Sequence, residues 1–149
     1  VFHLRSSIIG PQLKGLKFLL EWLLEQPKYA KVKGFSNHKW NGITTLHFAK
    51  VCHGIIKRGA KLPHIQHIVP GNTITKANLL KSIARQFNRT DIVIESTKAP
   101  AAIDRTLLTI NEKLNLRLWQ LAGYDGPPSI QKMVSELAED SFFRKDEKI

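Results

Sequence analysis

The chain has 149 residues, 42% hydrophobic and 23% charged, which suits one globular domain or one lobe of a larger enzyme. No apolar run is long enough to span a membrane, and a single cysteine excludes an intrachain disulfide and favours a reducing compartment, the cytoplasm. The net charge of +11 fits either nucleic-acid binding or a pocket for an anionic small molecule. The basic residues are dispersed, however, and no nucleic-acid-binding motif is visible.

The sequence of the amino-terminal quarter predicts an apolar helix with one strand before it and one strand after it. The first strand covers residues 1–9 and ends at the breaker pair Gly10-Pro11. The helix runs from about residue 15 to residue 26, where Pro27 ends it. Because it is apolar on most sides, it is expected to be buried or covered by another subunit. A short strand over residues 29–35 follows.

Residues 34–45 are rich in turn-forming, aromatic and polar residues and lead directly into an amphipathic helix. Glycines bracket the stretch, and loops that present several polar and aromatic groups between firm elements are common binding places. We therefore expect this segment to form the floor of a ligand site. Local reasoning favours core packing for Trp40 but leaves open that its ring is a platform for a ligand ring.

The following helix is predicted over residues 43–58, with Gly59 at its C-cap. Its apolar face is predicted to consist of Phe48, Cys52, Ile55 and Ile56. Its solvated face is predicted to consist of His47, Lys50, His53, Lys57 and Arg58.

The remaining pattern continues to alternate. Strands are predicted at residues 64–69 and 91–96, and between them a helix N-capped by Thr75 runs to about residue 87. The last predicted elements are an irregular segment at 97–108, an ambiguous segment at 111–124, a helix at 129–138 and a charged, mobile tail at 141–149. Strands that alternate with helices predict an α/β lobe over residues 1–140.

Local motifs for catalysis are missing from the sequence. The histidines and Cys52 do not have metal-ligand spacing along a strand or a helix, so no metal site is expected. There is no nucleophile elbow, no P-loop and no Gly-x-Gly-x-x-Gly pattern. The pair Asp104-Arg105 leaves two options open, because an arginine in an irregular segment can fork onto a phosphate or form an ordinary surface ion pair.

Three segments together resemble the extended short-chain dehydrogenase/reductases that act on nucleotide sugars. Leu4-Arg5-Ser6-Ser7-Ile8-Ile9-Gly10-Pro11 resembles the end of their sixth Rossmann strand. Residues 34–46, with Gly-Phe-x-Asn-His-x-Trp-Asn-Gly-x-Thr-Thr-Leu, resemble the substrate-lobe segment of the dTDP-4-dehydrorhamnose reductase-like branch. Residues 102–107, Ala-Ile-Asp-Arg-Thr-Leu, are similar to a late segment in which such enzymes place an arginine near the diphosphate.

This resemblance implies an α/β fold, the carboxy-terminal lobe of an extended Rossmann-type reductase, with the first strand belonging to the Rossmann sheet. The cofactor, NADP or NAD, would be bound mostly by a Rossmann part upstream of this chain, with contacts from Ser6, Ser7 and Ile8. The nucleotide-sugar pocket would be lined by Asn37, His38, Trp40, Asn41 and Thr44. Arg105 would contact the diphosphate, with Asp104 orienting it.

The glycine-rich loop and the catalytic Tyr-x-x-x-Lys of that family are absent from this chain. We therefore expect it to contain no catalytic residue and to be inactive alone, as the substrate-binding part of an NAD(P)-dependent oxidoreductase. Ile8 stands where the rhamnose enzymes carry an aromatic residue, so another nucleotide-sugar reductase or an epimerase is an open alternative.

Two alternatives come from other functional classes: a non-catalytic nucleotide-sugar binding or assembly module, and a basic nucleic-acid-binding domain. No membrane partner is expected. The apolar helix at residues 16–24 could pack on a missing lobe or on a second subunit of a homodimer.

Overall fold

A computed structural model describes residues 1–12 and 18–140 of the chain. The predicted start of the first helix at residue 15 and the predicted mobile tail at 141–149 lie outside the described residues. The helices are α1 (Leu19–Leu24), α2 (Thr45–Arg58), α3 (Lys76–Gln86), α4 (Glu112–Leu121) and α5 (Ile130–Glu139). The strands are β1 (His3–Arg5), β2 (Ile8–Ile9), β3 (Lys31–Phe35), β4 (His38–Trp40), β5 (Ile43–Thr44), β6 (Ile65–His67), β7 (Ile74–Thr75), β8 (Val93–Thr97) and β9 (Ile103–Arg105).

Most strand pairs in the described residues are parallel, as expected for strands joined through helices. The parallel pairs are β1 with β6, β2 with β5, β3 with β8 and β4 with β9. β7 joins the other edge of β4 in antiparallel orientation. This mixture of helices and mainly parallel strands confirms the predicted α/β class.

The predicted first strand, residues 1–9, is two strands that pair with different partners. β1 bonds to β6 and β2 bonds to β5, and the break between them falls at Ser6 and Ser7. Ser6 Oγ donates to the carbonyl of Ile68, 2.9 Å away, whereas the Ser7 carbonyl accepts from the Ile43 amide at 2.8 Å. The break lets one short segment link two separate parts of the fold.

Three other predicted segments differ from the structure. The loop over 34–45 contains β4 and β5, the irregular segment at 97–108 contains β9, and the ambiguous segment at 111–124 contains α4. Strands of two or three residues are too short to show an alternating pattern, and they form because a distant strand supplies the hydrogen bonds. Trp40 of β4, for example, pairs with Arg105 of β9.

The helix boundaries follow local signals that the sequence shows directly. Thr75 caps α3, with its hydroxyl accepting from the Asn78 amide, and Thr44 caps α2 in the same way. Gly59 ends α2 in the left-handed conformation, at φ 58°, which favours glycine. The predicted Thr75 and Gly59 caps are therefore confirmed.

The predicted orientation of α2 is wrong for His47 and Ile56, whereas Phe48 and Ile55 pack against the core and the exposed residues include His53, Lys57 and Arg58, as predicted. The buried face consists of His47, Val51 and Gly54, whereas Ile56 is 80% exposed. α4 packs closely against this face, since a Cβ on Gly54 would overlap the Leu121 carbonyl oxygen. The polar ring of His47 is buried because other elements supply its hydrogen bonds, which the helix sequence alone does not reveal.

The core lies between the helices and the strands and is apolar. Its largest fully buried members include Trp119, Leu20, Leu23, Ile43, Ile68, Leu80, Ile83, Leu118, Ile130 and Met133. Of the helices in the described residues, none is long and apolar enough to cross a membrane.

Candidate ligand-binding cavity

A cavity of about 1050 Å³ lies where β2, β4 and the first residues of α2 and α3 come together. Four of the residues that the sequence predicted for a ligand site line it: Ile8, His38, Trp40 and Arg105. This volume is at the upper end of the range for small-molecule sites. The cavity, named here the ligand cavity, therefore has room for a nucleotide-sized molecule.

Strand register explains why these side chains converge. Alternate residues of a strand point to opposite faces, so His38 and Trp40 share one face of β4. Arg105 is the direct partner of Trp40 on the parallel strand β9. The side chains of Trp40 and Arg105 therefore start from neighbouring strand positions and both line the cavity, although the two residues lie far apart in the chain.

The cavity combines positive charge with apolar surface. Every charged residue among the described ones that line it is basic: Lys39, Lys76 and Arg105. Ile8, Ile9 and Leu79 contribute apolar wall. Such a lining suits a ligand with a negatively charged group and a ring or other apolar part.

Asp104 faces away from this site. Its Oδ1 accepts from the amide and the hydroxyl of Thr106, at 3.0 and 2.7 Å, and these bonds lower the pKa of Asp104 below its usual range. Asp104 and Thr106 line a separate, smaller cavity of about 420 Å³. Asp104 thus lies in the middle of β9 with its carboxylate bonded to Thr106, and its predicted role of orienting Arg105 stays a prediction.

The two predicted amides brace the strand that carries Arg105. Asn37 exchanges two hydrogen bonds with the main chain of Ala99, both 2.9 Å, and Asn41 does the same with Leu107, at 2.8 and 2.6 Å. The amides stand immediately before and after β4, so they extend its pairing with β9 beyond both ends. Their predicted contact with substrate stays a prediction.

Thr44, Ser6 and Ser7 also have their hydroxyls bonded within the protein. Thr44 is almost fully buried and caps α2. Ser6 bonds to the main chain, and the Ser7 hydroxyl accepts the indole N–H of Trp40 at 2.6 Å. Neither serine lines the ligand cavity, and their predicted contact with a nicotinamide cofactor stays a prediction.

A cluster around Glu136 was missed by the sequence reasoning, which placed His47 and Lys50 on a solvated face. One carboxylate oxygen, Oε2, lies 3.0 Å from His47 Nε2, 3.0 Å from Lys50 Nζ and 2.5 Å from the Tyr124 hydroxyl. The spacing of His47, Val51 and Gly54 along α2 is the signal that could have revealed the buried face. The partner on α5 has no such local signal.

His47 is neutral in this cluster. Burial lowers its pKa from 6.5 to about 4, and the attraction of Glu136 offsets this only in part. Its Nε2–H then donates to Glu136, while Nδ1 accepts from the Thr44 hydroxyl at 2.6 Å. The close approach of His47 and Glu136 is thus a hydrogen bond to a carboxylate, which ties α5 to α2.

The cluster shows no activated group. Burial raises the pKa of the Tyr124 hydroxyl, so it is not prepared to lose a proton. No three or more His, Cys, Asp or Glu side chains within residues 1–12 and 18–140 are grouped so as to hold a metal ion. The bonds of the cluster tie α5 to α2 and to Tyr124.

The resemblance also implies a nicotinamide cofactor, and this chain's residues offer little to hold one. Of the three residues assigned to it, Ile8 presents the most open surface, with 46% of it exposed, and Ser6 and Ser7 are half-buried. The Ser6 and Ser7 hydroxyls are bonded to Ile68 and Trp40. The apolar surface of Ile8 can contact a cofactor, and the contacts predicted for Ser6 and Ser7 stay predictions.

The fold is that of the second half of Rossmann-type reductases and epimerases of nucleotide sugars, as solved structures show. No family model matches the chain, and no curated protein matches it by sequence. The structural match confirms the fold that the resemblance implied.

Two of the similar structures are dTDP-4-dehydrorhamnose reductases. That of Bacillus anthracis str. Ames, in complex with NADP, matches with a TM-score of 0.69 and 11% identity, over 94% of this chain and 48% of that chain. That of Yersinia enterocolitica has a TM-score of 0.65 and 13% identity, over 91% of this chain and 48% of that chain.

A third similar structure is an epimerase. The UDP-N-acetylglucosamine 4-epimerase of Bacillus cereus has a TM-score of 0.60 and 14% identity, over 95% of this chain and 47% of that chain. The chain thus spans about half the length of the structures it matches. At these identities the likeness establishes the fold and leaves the activity to be argued from the site.

Proposed function

We propose that this chain is the substrate-binding part of an NAD(P)-dependent oxidoreductase that acts on a nucleotide-activated sugar. The observation that carries the proposal is the pairing of Trp40 with Arg105 on the wall of a cavity whose charged lining residues are basic. A nucleotide sugar has the matching parts, namely an aromatic base, a diphosphate and a sugar. The half-length match to a dTDP-4-dehydrorhamnose reductase in complex with NADP supports the oxidoreductase class.

Each wall of the cavity has a distinct task in this proposal. The planar guanidinium of Arg105 can make two parallel bonds to a diphosphate, which a lysine cannot. The Trp40 indole offers a flat face for the base or the sugar ring. Ile8 and Ile9 exclude water from the end of the cavity that β2 forms.

The chain's residues bind and orient the substrate in this proposal. The nicotinamide cofactor supplies the hydride when it is bound, and the complete enzyme supplies most of its binding site. A dTDP-4-dehydrorhamnose reductase-like activity is the finer proposal, and Ile8 at the cavity leaves a related reductase or an epimerase as its alternative. Homodimerisation and a cytoplasmic location stay predictions from the sequence.

Titration calorimetry with dTDP-glucose and UDP-glucose tests the binding role. Arg105→Ala is expected to weaken binding by about 1–3 kcal/mol, because a charge-assisted hydrogen bond to phosphate is lost. Arg58→Ala is the matched control, since Arg58 is exposed at the end of α2 and does not line the cavity. Equal affinities of the wild type and Arg105→Ala for both ligands would remove Arg105 from the site.

The same experiment separates the alternative functions. If the wild type binds neither nucleotide sugar but binds single-stranded RNA with an affinity that falls steeply with salt, the basic nucleic-acid-binding domain is favoured. If it binds nucleotide sugars, and the complete protein that contains it does not oxidise NADPH or NADH with any of them, the non-catalytic binding module is favoured.

A further inference from the structure

The indole of Trp40 is held from two sides. Its Nε1–H donates to the Ser7 hydroxyl at 2.6 Å. The edge of its six-membered ring lies against Gly42, where an added Cβ would overlap Trp40 Cζ2 and the Ser7 carbonyl oxygen. Only glycine leaves room for the ring at this position.

The two restraints are set by one strand pair. Ser7 directly precedes β2 and Gly42 directly precedes β5, and these strands pair in parallel with Ile8 opposite Ile43. The Ile43 amide donates to the Ser7 carbonyl at 2.8 Å, which fixes the serine backbone. The strand pair thus holds the Ser7 main chain, from which the hydroxyl projects, independently of any ligand.

A half-buried tryptophan without such restraints would sample several rotamers. A ligand that stacks on it would then have to order the ring, which weakens binding. Trp40 lines the ligand cavity, so a ring already held in one orientation offers a ligand a ready surface. The hydrogen bond to Ser7 removes the ordering cost before the ligand arrives.

We infer that Ser7 is a positioning residue for the ligand cavity, which acts by holding the Trp40 indole in the orientation that an aromatic or sugar ring stacks against. The inference rests on the proposed function for its ligand. It assigns to the Ser7 hydroxyl a task different from the contact with the cofactor that the resemblance implied.

The first test needs no ligand. The chain is labelled with 5-fluorotryptophan, and the ¹⁹F signal of Trp40 is assigned by its disappearance in Trp40→Phe. In Ser7→Ala this signal is expected to shift and broaden, because the indole loses its acceptor. Ser7→Thr keeps the hydroxyl and is expected to give the wild-type signal. Ser36→Ala is the matched control, because it removes an exposed serine hydroxyl from the segment that contains Trp40.

The second test measures binding of UDP-glucose by calorimetry. Ser7→Ala is expected to raise the Kd about 3- to 10-fold, from the ordering of one large side chain. In the Trp40→Phe background, which has no indole N–H, the same substitution is expected to change the Kd less than about 2-fold.

The outcomes distinguish the two claims. The positioning role is overturned if the Trp40 signal is unchanged in Ser7→Ala. It is also overturned if Ser7→Ala raises the Kd by the same factor in the Trp40→Phe background as in the wild type. If the wild type binds neither UDP-glucose nor dTDP-glucose, the proposed function is overturned and with it the ligand role of Ser7. The ¹⁹F signal alone then still decides whether Ser7 holds the ring.

Discussion

Mild acid is expected to destabilise the fold through His47, which is fully buried and neutral. Burial is the largest cause of its lowered pKa, Lys50 and Lys132 lower it further, and Glu136 partly opposes them. Because the folded pKa of about 4 lies below the ordinary 6.5, the unfolded chain takes up the proton first as pH falls. Stability is therefore full above pH 6.5 and decreases as pH falls toward 4.

The size of the effect follows from the two pKa values. Between about pH 7.5 and about pH 5 the unfolded histidine becomes almost fully protonated while the folded one stays mostly neutral. Proton linkage then predicts a loss of about 2 kcal/mol in the free energy of unfolding. Glu136 contributes little to the loss of stability between these two pH values, because it stays ionised. Burial alone would raise its pKa, but hydrogen bonds from Tyr124 and Lys50 lower it.

Urea unfolding at the two pH values measures this loss. In His47→Gln the loss on acidification is expected to be smaller than in the wild type by about 2 kcal/mol, because the titrating ring is gone. The control is His53→Gln, which removes an exposed histidine from the same helix and should keep the wild-type pH dependence. If the wild type and His47→Gln lose equal stability between the two pH values, His47 does not carry the acid sensitivity.

Two further substitutions test the packing around the site. Asn41→Ala removes two hydrogen bonds to the Leu107 main chain, so the free energy of urea unfolding should fall by about 1–3 kcal/mol. Nucleotide-sugar affinity should also fall, because the strand that carries Arg105 is held less firmly. Unchanged stability would contradict the bracing role. Gly54→Ala should destabilise by about 1–3 kcal/mol in a thermal melt, although alanine normally favours helices, because its Cβ would overlap the neighbouring main chain of α4. Gly126→Ala is its control, since a Cβ there would meet only Leu116 Cδ1, at an ordinary contact distance of 3.8 Å. Equal melting of the two variants would contradict this packing argument.

Helices were the most predictable part of this fold, because their signals are local. The Thr75 cap and the Gly59 cap each depend on residues within one turn of the helix, and both appear in the structure as predicted. The face of α2 was not predictable in the same way. A buried histidine is acceptable only when distant groups bond to it, and Glu136 lies 89 residues further along the chain.

The short strands around the ligand cavity were the least predictable part. β4, β5 and β9 have two or three residues each, too few for a readable alternation. Their existence depends on pairing between segments far apart in the sequence. The ligand contacts that the resemblance implied for Asn37 and Asn41, and the cofactor contact for Ser7, stay predictions. Only the structure showed that their side chains bond to Ala99, Leu107 and Trp40.

The sequence by itself determined the α/β class and the Thr75 and Gly59 caps, and it predicted the segment from residue 34 to 45 as the floor of a ligand site. Composition, local capping chemistry and motif resemblance are enough for those conclusions. Only the tertiary structure decided which polar residues of that segment face the cavity and which brace it. The physical reason is that a side chain's task depends on the hydrogen-bond partner that folding brings to it. For Trp40 that partner is Ser7, and its neighbour across the sheet is Arg105.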